Sequence, residues 1–476
     1  MSLARDAGQP DVEGALTLAA ADRDRVHDAA LWLLDHVGCA VRDPEAQALL
    51  AAHGAAVDGD RVRIGEALVT RALETAPREY TVAGRRPGLD LRVGPGAPAV
   101  LGATSGPALV LEGGTQRPGT LADLRVAIAL AHLSPNIDVH GFAVEPTDIA
   151  EGRRAAVGAH AHLVGSDKGF RPNVSTLAEL RVALDVCEIV YGAAWHERPR
   201  LWTIVNSTSP LQVSAEAAQV LMRLAHLGQP VCYAVCAMGG TTAPLTPAGL
   251  LALQHAELLC GLVMTQFARP GCPFLYGGTS SLSSMQTGAL MMGAPEYWAL
   301  MAATVQLGHA LGLPVRAGGA LTDAHVPDAQ AGIESALALT TVLDLDVDFV
   351  LHAAGVLSSF NCFSAAKFVI DDELITAVRV ARRGVAVDDE TLALGVVAAM
   401  GPGGTALGQP HTRRHARDAL RPTIMNRAPF EAWIAQGGRD LAAAAAARAD
   451  EMLQAYVPPD DLDATTRRQL DAYCLT

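Results

Sequence analysis

The chain has 476 residues, half of them apolar and 18% charged, with a formal net charge of −14 and a mean hydropathy of +0.22. This composition excludes a disordered chain, and the acidic balance, with no Lys/Arg stripe interleaved with aromatics, argues against nucleic acid and anionic lipid as partners. No run of about 18 uninterrupted apolar residues is present to cross a membrane, and the opening MSLARDAGQPDVEG has no apolar signal segment, so a cytoplasmic protein is expected.

In chain order, DRDRVHDAALWLLDHVG, DPEAQALLAAHG and GEALVTRALETAP predict helices within the first 90 residues, followed by short extended pieces rich in Pro and Gly. These form an N-terminal cap, taken as residues 1–119. From about residue 120 a helix, a turn and a short apolar strand recur. The strands are DVHGFAV (138–144), KGFRPNV (168–174), LWTIVNS (201–207), VCYAVCA (231–237), PFLYGGT (273–279), PVRAGGA (314–320) and DFVLHAA (348–354). Helices such as 214–228, 246–267 and 295–312 lie between them. Seven strands every 30 to 40 residues fit a (β/α)8 TIM-type barrel with a helical N-terminal extension and a helical C-terminal segment. The barrel is assigned to residues 120–455 and a tail to 456–476. The Gly-rich stretch 99–114 is a candidate for the missing eighth strand.

Eight cysteines are scattered without a CxxC pair, which predicts buried thiols and neither a disulfide frame nor a zinc ribbon. Cys232 and Cys236 share a face if 231–237 is a strand.

In a barrel the loops after the strands build the active site. GGALTDAHVPDAQAGIE (318–334) is then a mouth loop carrying Asp323, His325, Asp328, Gln330 and Glu334, with 277–293 and 353–367 beside it. Asp328 also suits a helix cap, and Gln330 and Glu334 the first turns behind it. A metal-dependent barrel hydrolase or lyase, its metal held by Asp323, His325 and the HTRRH pair His411 and His415, is the rival reading. The histidine pair has helical i,i+4 spacing, but no acidic third ligand stands near it in the sequence. No metal is therefore assigned. P-loop, dinucleotide and nucleophile-elbow patterns are missing as well. DAHVPD meets only half of the DxHxxG pattern of corrinoid-binding proteins, with Asp328 in place of glycine.

Several blocks occurring in order carry a resemblance. GGTTAPLTPAGLLALQHAELLCGLVMTQFARPGCPFLYGG (239–278), QTGALMMGAPE (286–296), LTDAHVPDAQAGIE (321–334), KFVIDDEL (367–374), GPGGTALGQPHTRRHAR (401–417) and RAPFEAWIAQGGRDL (427–441) resemble the trimethylamine methyltransferase superfamily. With the preceding strands the resemblance covers about residues 120–455. It implies a barrel that passes a methyl group from an amine to the cobalt of a corrinoid supplied by a separate partner protein, with no cofactor bound tightly. Founding members use pyrrolysine. This chain has standard residues only and so resembles the non-pyrrolysine branch, some of whose members use quaternary amines such as glycine betaine.

That resemblance implies a substrate cation without N–H donors, which aromatic faces and carboxylates hold. Because only 4% of the chain is aromatic, Tyr276, Phe360 and Phe363 are the cage candidates, with Tyr297 and Phe142 behind them. A betaine carboxylate would want Arg171, Arg316 or His352. By position in the TDAH loop, Asp323, His325 and Glu334 are the candidate catalytic residues. A non-catalytic binder of quaternary amines is the other alternative, and the long apolar helices suit a homo-oligomer.

Overall fold

The computed structural model describes residues 16–476. Eight short parallel strands lie in its centre: β1 (Val100–Leu101), β2 (Val139–Gly141), β3 (Gly169–Arg171), β4 (Thr203–Asn206), β5 (Val231–Val235), β6 (Phe274–Gly278), β7 (Arg316–Gly318) and β8 (Phe349–Leu351). Each pairs with the next. Gly102 opposes Val139, Phe170 opposes Leu201 and Tyr276 opposes Val315, all parallel, while β2–β3, β4–β5–β6 and β7–β8 form regular ladders. Phe349 and Val350 of β8 pair with Val100 and Leu101 of β1, which returns the ladder to its start.

One helix follows each strand: α1 (Leu121–Leu133), α2 (Glu151–Gly165), α3 (Leu177–Tyr191), α4 (Ala215–His226), α5 (Pro247–Ala268), α6 (Pro295–Ala310), α7 (Ala329–Asp344) and α8 (Ala365–Arg382). Their starts are written locally. Thr120 with Asp123 and Thr176 with Glu179 form capping boxes on α1 and α3, Asp328 caps α7, and proline opens α5 and α6.

The seven strands expected after residue 120 are all in the ring. The eighth comes from 99–114, so the ring begins inside the stretch read as the cap. Just after β1 the chain forms a hairpin, Leu109–Glu112 with Thr115–Pro118, paired to Cys362–Phe363 after β8.

Helices Ala20–Trp32, Pro44–Ala52 and Glu66–Thr75 pack on α5. That cover explains how α5 is buried continuously from Leu250 to Phe267: a helix apolar on all faces needs protein on all faces. By length and composition it is also the one helix among the described residues apolar enough to cross a membrane. A second hairpin, Tyr80–Val82 with Leu91–Val93, plugs the end of the ring where the strands begin. Its Val82 and Val93 join Val100, Val139, Trp202, Cys232, Leu275, Phe349 and Leu351 in one apolar cluster. At the other end of the chain, helix Leu441–Ala455 lies on α8 and α1, and Ala464–Leu475 docks on α2 and α3, burying Leu470 and Cys474. All eight cysteines are free thiols.

Candidate active site

Strand alternation sorts the side chains. Leu275 belongs to the inner cluster, so Tyr276 points outward: its ring lies against Gly308 of α6 and its hydroxyl meets Nδ1 of His255 on α5 at 2.7 Å. Tyr233, its neighbour on β5, likewise packs on Gly261 of α5. Tyr276 therefore joins ring to helices and is not at the mouth. Phe142 packs on Gly158 of α2. Phe363 is 2% exposed, contacts the backbone at Gly355, and belongs to the core.

Above the apolar plug, the opposite strands β3 and β7 each place an arginine in the interior. Arg171 is 3% exposed and Arg316 2%. Their contacts are sparse: Arg171 reaches the Phe142 carbonyl at 3.5 Å, Arg316 reaches Oγ1 of Thr279 at 3.5 Å, and Arg316 Nε has no hydrogen-bond partner. No carboxylate among the described residues forms an ion pair with either. Burial, followed by the charge of Arg316, pulls the Arg171 guanidinium down to about 10. Uncompensated charge in such a place costs several kcal/mol, roughly, for each ion. An anion arriving between them removes that cost.

His352, one residue past β8, is also buried. Burial and then the charges of Arg316 and Arg171 hold its imidazole well below its ordinary value, so it is neutral. Its Nδ1 lies 3.4 Å from Thr104 Oγ1, and its ring stacks on half-buried Phe360 with centroids 6.0 Å apart. The backbone at His352 takes a φ of 58°, as do Ser358 and Ser359 at 53° and 66°. Left-handed, non-glycine positions like these persist where the surroundings enforce them, often at sites.

Two further side chains reach this space. Tyr297, on the first turn of α6, has a buried hydroxyl without a partner. A Cβ added to Gly318, which faces inward two residues after Arg316, would lie 2.2 Å from that hydroxyl, so only glycine leaves it room. Cys236 continues the inward face of Cys232 and is exposed at the end of β5, with the Arg316 charge among its neighbours.

The three loops over β6, β7 and β8 are tied together at Asp323. Its carboxylate accepts from the Met292 and Gly293 amides at 2.9 Å each and from Ser359 Oγ at 2.8 Å. Glu334 works from below. It accepts from Thr322 Oγ1 at 2.5 Å, from the Asp323 amide at 2.8 Å and from Gln330 at 2.9 Å. His325 is exposed and bonds Ser358 Oγ at 2.8 Å. Asp328 caps α7 through the Ala331 amide. On this geometry Asp323 and Glu334 shape the mouth, whereas Arg171, Arg316, His352, Phe360, Tyr297 and Cys236 line it.

Sequence reasoning did not single out Ser359 or the buried pair Lys367–Asp371, whose Asp371 accepts from the Gly355 amide at 2.8 Å and so anchors the loop after β8. The signal was a Lys and an Asp four apart inside an apolar helix. His411 and His415 gather with Glu390, in a group that contains neither Asp323 nor His325. The rival metal centre combining all four is thus divided between two places.

The chain matches the model of the trimethylamine methyltransferase family over residues 12–476. It is 33% identical over 453 residues to glycine betaine methyltransferase from Desulfitobacterium hafniense (strain Y51), with 94% of each chain covered. To trimethylamine methyltransferase MttB from Methanosarcina thermophila it is 29% identical over 450 residues, covering 92% of this chain and 93% of that protein. The crystal structure of the Methanosarcina barkeri monomethylamine methyltransferase superposes with a TM-score of 0.52, covering 90% of this chain and 87% of that one at 11% identity, a likeness of fold.

Proposed function

Because the chain belongs to the trimethylamine methyltransferase family, we propose that it demethylates a carboxylated quaternary amine, glycine betaine or a close relative, and delivers the methyl group to a corrinoid carried by a separate protein. The observation that carries the substrate class is the pair of buried arginines without counter-ions. A carboxylate between Arg171 and Arg316 gains charge-assisted hydrogen bonds and relieves their repulsion. Trimethylamine, which has no carboxylate, leaves them as they are.

The closed ladder of eight parallel strands, each followed by a helix, supports reading the fold as a TIM-type (β/α)8 barrel with the site at its C-terminal mouth. The chain then divides into an N-terminal cap, a barrel that takes its first strand, Val100–Leu101, from within residues 1–119, and a C-terminal tail. A cytoplasmic setting belongs to this reading; the homo-oligomer expected from the long apolar helices loses that support, because α5 is covered by the chain's own helices.

A corrinoid in the Co(I) state supplies the nucleophile: the methyl carbon leaves nitrogen without the C–N bonding pair, which stays on nitrogen as a neutral tertiary amine. No proton needs to move. What this chain contributes is alignment and removal of water, and such positioning is worth roughly 7–11 kcal/mol in well-oriented systems. Arg171 and Arg316 hold the carboxylate, neutral His352 adds a donor without adding positive charge, and Phe360 offers a ring face to the ammonium. The bonds at Asp323 and Glu334 keep the loops in register around it.

The test is methylation of chemically reduced cob(I)alamin by the purified protein with glycine betaine, carnitine, choline and trimethylamine. Turnover confined to the carboxylated amines is expected. Equal or faster turnover with choline or trimethylamine would overturn the assignment of the arginine pair.

A further inference from the structure

The segment from residue 381 to 444 contains no buried residue. Val385, Leu394, Leu407 and Phe430 are 88%, 70%, 82% and 67% exposed. Its short helices, Asp389–Leu392, Leu394–Met400, Pro410–His415 and Phe430–Ala435, have no core of their own to hold them. Segments in this condition are commonly stabilised by a cross-link, a metal or a partner.

Within it, three ligand-bearing side chains converge. His411 and His415 stand one helical turn apart with ring centroids 4.3 Å apart, and Glu390 comes from the helix Asp389–Leu392, about twenty residues earlier in the chain. One ligand atom of each lies within 4.8 Å of the others. His415 Nδ1 bonds Asp418 at 2.5 Å, which turns Nε2 toward Glu390 Oε1 at 3.3 Å. An outer carboxylate that fixes the ring of a ligating histidine is a recurrent partner in metal sites. Arg414 holds the same Glu390 oxygen at 2.7 Å, and His411 Nε2 meets the Glu390 carbonyl at 3.0 Å.

We propose that Glu390, His411 and His415 bind one divalent transition-metal ion, zinc by ligand type, and that this ion staples residues 389–392 to 410–415. Two imidazoles and a carboxylate suit zinc, with water in the fourth position. Bonds of about 2.0–2.1 Å put tetrahedral ligand atoms about 3.4 Å apart, so the group closes by rotation of exposed side chains while Arg414 shifts to the outer side of the carboxylate. The site is separate from the mouth and independent of the methyl-transfer reading; its role is to fold the exposed segment.

The experiment uses full-length protein made without a histidine tag, stripped with chelator, dialysed against Zn2+ alone and assayed for bound metal by mass spectrometry. One zinc per chain is expected, lost in the His411→Gln/His415→Gln double variant and kept in Cys236→Ser. Zinc should also slow proteolytic cleavage within 383–440 in the wild type but not in the double variant. Should the double variant fail to fold, Co2+ loaded into the wild type should give the visible absorption of a four-coordinate site. No bound zinc in the wild type, zinc retained by a folded double variant, cleavage unaffected by zinc, or a Co2+ spectrum of the free ion would each overturn the proposal.

Discussion

Asp323 accepts a hydrogen bond from Ser359 at 2.8 Å, and through it the loop after β7 is fastened to the loop after β8. The same carboxylate holds two amides of the loop after β6. Asp323→Ala strips three donors of their acceptor at once, at about 1–3 kcal/mol for each one left buried and unpaired. A displaced loop costs on the order of 100-fold in rate when it moves the site by about 1 Å. We expect Asp323→Ala to lower kcat by about 10- to 100-fold with a reduced melting temperature, and Asp323→Asn, which keeps an acceptor oxygen, to recover part of both. Steady-state kinetics and thermal melts check this; unchanged kcat in the alanine variant contradicts it.

Arg316→Gln removes a buried charge with no counter-ion among the described residues. Losing a charge-assisted bond to the substrate carboxylate, worth about 1.5–3 kcal/mol, raises KM for glycine betaine by about 10- to 100-fold. Stability should move the other way or not at all, because the repulsion with Arg171 is gone. A melting temperature that falls steeply in the ligand-free variant would mean that Arg316 is a structural residue.

Phe360 and Phe363 separate two roles that are adjacent in sequence. Phe360 is half-buried on neutral His352, so Phe360→Ala should weaken quaternary-amine binding by about 0.5–2 kcal/mol and leave the fold in place. Phe363 is core, and Phe363→Ala should cost about 3–5 kcal/mol of stability. Urea unfolding and calorimetric binding of glycine betaine distinguish the two, and a stable Phe363→Ala protein with weakened binding would restore Phe363 to the cage.

The alternation and spacing of the apolar strands made the ring legible, because a residue period of two and a helix after each strand leave few architectures. The strand at residues 100–101 was hard to bound because two residues have no periodicity and its flanks are glycine-rich. Arg171 and Arg316 became candidates because the family resemblance implies a betaine carboxylate that wants such donors; their inward direction was not legible without the strand register. Tyr276 was not separable from a mouth aromatic: one position along β6 decides whether a side chain meets the substrate or His255, and strand ends are uncertain by more than that. The role of Asp323 depended on amides of a loop thirty residues earlier in the chain, which no local pattern reports. The Glu390 partner of His411 and His415 was hidden for the same reason.

His140 on β2 and His162 on α2 lie buried with ring centroids 4.2 Å apart. Burial, followed by the charge of Arg85, lowers His162 to about 3, and burial, followed by His162 itself, holds His140 well below its ordinary value. Both are neutral in the folded protein, while in the unfolded chain each takes a proton below pH about 6.5. Between the folded and unfolded values the unfolded state binds more protons, so stability falls as pH falls, at about 1.4 kcal/mol per pH unit for each histidine. His162 alone should therefore remove about 2 kcal/mol between pH 7.5 and 5.0. Urea midpoints at the two pH values should differ less in His162→Leu than in the wild type, by about one histidine's share. Lys168, lowered to about 8 by burial, and His132, also lowered by burial, face the same pair and add slopes of their own that are common to both proteins, so the difference between wild type and His162→Leu isolates the share of His162. An identical pH dependence in the variant would mean that His162 is already protonated, or already solvated, in the folded state.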